Sequence, residues 1–98
     1  MSLDNNKISN KFKKGLELFK NKRFAEAEKL FKIIFKYNPD DVLINFFLGA
    51  AYFENRKFSL SQEKLKKVIS IEKNHRDANF LLGMMSYNEN KFDEAKNH

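Results

Sequence analysis

Residues 42–75 read VLINFFLGAAYFENRKFSLSQEKLKKVISIEKNH, and this stretch decides the fold. Val42, Phe46, Gly49, Ala50 and Phe53 recur at three- and four-residue steps, which places them on one face of a helix. A polar break, Glu54-Asn55-Arg56-Lys57, follows. Beyond it the spacing predicts a second helix from about Phe58 to Ile71, with Leu65, Val68 and Ile69 on its inner stripe. Two helices joined by so short a connection must pack as an antiparallel hairpin. No segment alternates with period two for long enough to argue a strand.

Moving outward by 34 residues reproduces the same features. The chain has three glycines, Gly15, Gly49 and Gly83, at that step, and the step also carries Phe24 to Phe58 to Phe92. It carries Ala27 to Ser61 to Ala95, and Phe12 to Phe46 to Phe80. Four columns in one register define a repeat. The reading divides the chain into a flexible segment 1–7 and a repeat domain 8–98, with units 8–41, 42–75 and a partial 76–98. In the first unit, helices are predicted near 8–20 and 24–37 around a break at Asn21-Lys22-Arg23. Pro39 cannot continue the second of these, and Asp40 and Asp41 favour the positive end of the next helix. The third unit is predicted to have a helix near 76–88, a break at Glu89-Asn90-Lys91, and only the start of its partner. With that partner incomplete, Phe80, Leu81, Leu82, Met84 and Met85 lack cover, which predicts either further repeats or self-association through this end.

A glycine inside a helix costs roughly 1 kcal/mol relative to alanine, so a recurring one implies a recurring gain. Close helix crossing supplies it: Gly15 is expected to face Ala27, Gly49 to face Ser61, and Gly83 to face Ala95. Phe24, Phe58 and Phe92 are expected to plug the corner beside each turn.

These residues resemble the tetratricopeptide repeat family, whose unit has 34 residues and the pattern W-x2-L-G-x2-Y…A-x3-F…P. Leu48, Gly49 and Tyr52 match in the second unit, where Leu65 stands at the apolar position held by Phe31 in the first. Gly15, Ala27, Phe31 and Pro39 match in the first unit, and Leu82, Gly83, Phe92 and Ala95 in the third. The tryptophan position is held by Lys11, Asn45 and Asn79, and the last proline position of the second unit by Lys73. The resemblance covers roughly residues 8–98 and implies an all-α, right-handed solenoid of antiparallel helical hairpins, with the last hairpin truncated.

It also implies a function: a non-catalytic scaffold that grips a peptide or helix of another protein on the concave face of each hairpin's first helix. The matching positions are Phe12, Leu16 and Phe19, then Phe46, Ala50 and Phe53, then Phe80, Met84 and Tyr87. Ser9, Lys20, Glu54, Asp77 and Asn88 form the polar rim. Grooves lined by Phe and Met suit an apolar partner segment. Aromatic stripes are often simply core; Phe46 and Phe80 are as readily covered by neighbours as open, and Phe53, Met84 and Tyr87 are the expected exposed contacts. Some family members clamp terminal carboxylates with cationic and amide side chains. The positions here hold Phe12, Leu16, Phe47, Asp77 and Leu81, none of which binds a carboxylate.

Composition bounds the alternatives. Ninety-eight residues support one small domain. Without cysteine there are no disulfides, thiolate metal sites or cysteine nucleophiles. His75 and His98 have no ligand-pair spacing, and no glycine-rich phosphate loop exists, so the reading is not an enzyme, with no catalytic, cofactor or metal residues. No apolar run is long enough to span a bilayer and the N-terminus carries no signal segment, which makes the cytoplasm the default. The net charge is +6. Lys29, Lys32, Lys36, Lys64, Lys66 and Lys67 fall on outer helix faces and support a competing nucleic-acid-binding reading. They lack interleaved aromatics, so the protein partner is favoured over nucleic acid.

Overall fold

The computed structural model describes the backbone of residues 4–96 and the side chains of residues 4–89. It has five helices in chain order: α1 (Asn5–Lys20), α2 (Phe24–Tyr37), α3 (Val42–Glu54), α4 (Phe58–Ile71) and α5 (Arg76–Lys96). There is no strand among the described residues. Each helix packs on its neighbours in sequence, as in an all-α stack of hairpins.

Two boundaries differ from expectation. The first helix begins at Asn5 because Asp4 caps it, its Oδ1 accepting from the Lys7 amide at 2.8 Å. Residues 5–7 of the segment expected to be flexible therefore belong to α1. The break expected at Glu89-Asn90-Lys91 does not form, and α5 continues to Lys96. The earlier breaks close because the chain folds back onto a buried stripe, Phe31 in α2 and Leu65 in α4. In the third unit no second helix folds back among the described residues, and α5 runs on as one helix.

The turns within the first two hairpins, α1–α2 and α3–α4, are built alike. Lys22 and Arg56 adopt left-handed conformations, φ 63° and 62°. The amides of Arg23 and Lys57 donate back to the Leu18 and Tyr52 carbonyls at 2.8 Å, and those of Lys22 and Arg56 donate to Phe19 and Phe53 at 3.0 Å. This pair of bonds is a Schellman closure, usually made with glycine at the left-handed position. Aromatic corners pin both turns as expected. Phe19 meets Phe24 edge-on at 5.1 Å, and Phe53 meets Phe58 at 5.7 Å.

Six columns of the core repeat at 34 residues. Leu18 and Tyr52, Ala27 and Ser61, Phe31 and Leu65, Ile34 and Val68, Ile44 and Ala78, and Ala51 and Met85 are buried pairwise. The glycines are explained differently from the expected small-to-small crossing. A Cβ on Gly15 would lie 2.6 Å from the Phe31 ring, and one on Gly49 would lie 2.9 Å from Leu65 Cδ2. The glycine admits the large plug of the next helix. Ser61 does reach Gly49, donating its hydroxyl to the carbonyl at 2.7 Å. Gly83 lies on the same continuous helix as Ala95 and cannot face it; among the described residues nothing lies within 4 Å of its Cβ position. The side chains of Phe92 and Ala95 lie outside the described residues.

Polar ties join successive units. Glu28 on α2 is buried, and it accepts from Asn55 at 2.9 Å and from Lys57 at 2.8 Å. One unit later Gln62 donates to Glu89 at 3.1 Å, the same pair of positions with donor and acceptor exchanged. Burial works against the charge of Glu28, but the bonds from Lys57 and Asn55 and the nearby Lys57 and Lys32 charges outweigh it, holding its carboxyl below the ordinary range. The bond to Glu28 in turn raises Lys57.

Candidate functional site

The first helices of the three units, α1, α3 and α5, form one side of the stack. Between them lies a hollow of about 230 Å³ lined by Phe19, Phe46, Ala50, Phe53, Phe80 and Leu81. Glu54 and Asp77 stand at its edge. Its placement follows from the three-and-four spacing on α3: Phe46, Ala50 and Phe53 project to the side opposite Leu48 and Tyr52, which face the core.

Of the nine positions assigned to the concave face, five line this hollow: Phe19, Phe46, Ala50, Phe53 and Phe80. Phe12 and Leu16 instead pack against the first core. The Phe12 ring sits 6.0 Å from Phe31 on α2 and 5.7 Å from Phe47 on α3, so it is turned onto those two helices. Met84 and Tyr87 are exposed further along α5 and do not line the hollow. Leu81, which the resemblance put among the carboxylate-clamp positions, also lines the hollow.

Exposure also distributes differently from expectation. Phe80 is 65% exposed and stands open. Phe53, expected to be exposed, is half-buried because one edge of its ring is used by the corner contact with Phe58. Phe46 is half-buried too, held between Phe47 at 5.1 Å and the His75 ring at 4.9 Å. His75 is fixed as the cap of α5, its Nδ1 accepting from the Ala78 amide at 3.1 Å. The groove thus has a half-buried aromatic floor, with the exposed Phe80 ring at its wall.

Two residues in the wall's foundation were not singled out for a role by sequence. Asn45 is buried and donates from Nδ2 to the Pro39 carbonyl at 2.9 Å and the Asp41 carbonyl at 2.8 Å. Asn79 repeats both bonds one unit on, to Lys73 at 3.3 Å and His75 at 3.0 Å. Both stand where the repeat pattern has tryptophan, and each latches the turn that sets the next first helix against the groove. Their 34-residue spacing was the available signal.

Among the described residues, no three His, Asp or Glu side chains gather to hold a metal ion, and no helix is long and apolar enough to cross a membrane. Against known sequences, the family model described as Tetratricopeptide repeat matches residues 12–69. No curated protein and no solved structure matches the chain.

Proposed function

Because the chain belongs to the tetratricopeptide repeat family, whose repeats are generally non-catalytic protein–protein interaction modules, we propose that it is a scaffold holding a peptide or helix of a partner protein in the α1–α3–α5 groove. The single observation that carries this reading is the hollow itself: aromatic side chains from all three units converge on it, and Phe80 leaves its ring uncovered. An apolar anchor of the partner would enter between Phe46, Phe53 and Phe80. Glu54 and Asp77 at the rim favour a basic residue beside that anchor and oppose a carboxylate-ended tail. Met84 and Tyr87 extend the contact along α5.

Affinity capture with the full chain tests this reading against a Phe80→Ala/Tyr87→Ala variant. Recovery of a partner by the parent and its loss from the variant supports the groove. Equal recovery by both removes it.

A further inference from the structure

On the side of α3 opposite the groove, a furrow of about 520 Å³ runs between α2 and α4. Lys29, Lys32 and Lys36 wall it on α2, and Lys64 walls it on α4. The α2 lysines follow three- and four-residue steps, so they form one stripe about two turns long. No acidic residue lines the furrow, and among the described residues none of these three lysines is in an ion pair. The floor is apolar: Ile33 is 39% exposed there, beside Phe35. Lys64 is fixed in the wall rather than solvated, its side chain only 14% exposed and its Nζ 3.8 Å from the centre of the Phe35 ring and 3.9 Å from Glu63 Oε1.

The charge is local to this furrow. One unit on, the positions of Lys29, Lys32 and Lys36 are Glu63, Lys66 and Ser70. The adjoining hollow shares Phe35 and Lys64 but also contains Asp40 and Glu63, and there Lys67 pairs with Asp40 at 3.0 Å. A cationic field over an apolar strip therefore begins and ends within about two helical turns.

We propose that this furrow is a second docking surface, and that it takes an acidic amphipathic segment of a partner protein. Apolar side chains of the segment would lie on Ile33, and its carboxylates would meet Lys29, Lys32 and Lys36. Charge complementarity supplies register and encounter rate, and the apolar strip supplies burial. Nucleic acid fits less well. Strand-binding surfaces stack bases on open aromatic faces; here Lys64 covers Phe35, and Tyr52 is buried. The proposal is independent of the groove on the other side of α3, and each can fail without the other.

The test is fluorescence titration with three probes: a helical peptide with leucines at i, i+3 and i+7 among glutamates, the same peptide with glutamates replaced by lysine, and a single-stranded oligonucleotide. The proteins are the parent, Lys29→Glu/Lys32→Glu/Lys36→Glu, Ile33→Ser and Phe80→Ala, with folding checked by circular dichroism; all these positions are exposed. The acidic peptide is expected to bind the parent, and to bind both the lysine-reversed and the Ile33→Ser proteins about tenfold more weakly, equivalent to about 1.4 kcal/mol. It should bind Phe80→Ala unchanged. Loss of binding with Phe80→Ala and not with the lysine variant would overturn the proposal. So would tighter binding of the oligonucleotide, equal binding of the lysine peptide, or no binding of the acidic peptide to the folded parent.

Discussion

Lys57, in the turn between α3 and α4, holds the Glu28 carboxylate of α2 at 2.8 Å, with side-chain exposures of 48% and 7%. The pair spans two units, and its buried member is the acid. The folded Glu28 pKa is lowered, so the unfolded chain binds more protons as pH falls. The stabilisation is present above the ordinary glutamate value and is lost as pH falls through the lower folded one. Lys57 is raised, so its share is present below the ordinary lysine value and lost only as pH rises through its folded one.

Thermal melts between about pH 7 and pH 3 should therefore show the parent losing its advantage over Glu28→Gln in the window below the ordinary glutamate value of 4.5. Gln62 occupies the equivalent position and bonds Glu89, so glutamine fits this geometry. Parallel curves for the two proteins would show that the tie adds nothing to the folded state.

The three glycines should respond with opposite signs. Gly15→Ala drives a methyl into the fully buried Phe31 ring and should cost about 1–3 kcal/mol. Gly49→Ala meets Leu65 Cδ2 at 2.9 Å and Lys64 Cβ at 3.3 Å, both on α4, and should also destabilise. Gly83→Ala meets nothing among the described residues and should gain roughly 1 kcal/mol of helix propensity. Urea melts of the three variants read these directly.

Lys22 and Arg56 hold left-handed backbone that glycine adopts without cost. Lys22→Gly or Arg56→Gly should therefore stabilise by about 0.5–1 kcal/mol, after the entropy returned to the unfolded chain. For a domain of this size that is a rise in Tm of roughly 2–8 °C. An unchanged or lowered Tm in both variants would mean that the turns do not bear this strain in solution.

The 34-residue repeat and the helices and turns between Phe24 and Ile71 were legible because they depend on local spacing. The helices 24–37, 42–54 and 58–71 begin and end where apolar periodicity stops. The role of the glycines was not legible, because 34-residue spacing shows that small residues recur but not which neighbour fills the space. Phe31 and Leu65 do so, from a turn beyond Ala27 and Ser61. The groove was half legible. Helical spacing put Phe12 and Phe46 in one column, yet Phe46 packs on the second core cluster, which includes Ala78 and Met85 of α5, while Phe12 packs on the first. The 34-residue spacing of Asn45 and Asn79 marked the asparagine latch but not its role, which lies in two carbonyls of a turn.

Asn45→Asp tests that latch. It replaces a buried double donor with a carboxylate facing the Pro39 and Asp41 carbonyls, and should cost about 2 kcal/mol or more. Asn79→Asp should cost less, since Asn79 is exposed and its bonds are longer. Equal costs would mean that burial of the latch is immaterial.

Phe80 separates binding from folding. It is 65% exposed, so Phe80→Ala removes little buried area and should change stability by no more than about 0.5 kcal/mol. Phe31→Ala, truncating a fully buried ring, should cost about 3–5 kcal/mol. If Phe80 is the free wall of the groove, its truncation should still weaken a captured partner by roughly tenfold or more, the behaviour of an aromatic anchor at an interface. The acidic rim adds a second signature. Glu54→Gln/Asp77→Asn should slow association with a basic partner, and rising salt should erase the difference from the parent, because screening acts on encounter rather than on the apolar anchor. Surface plasmon resonance with salt as the variable distinguishes the two effects. A Phe80→Ala loss appearing only at low salt would assign the contact to charge and not to the aromatic wall.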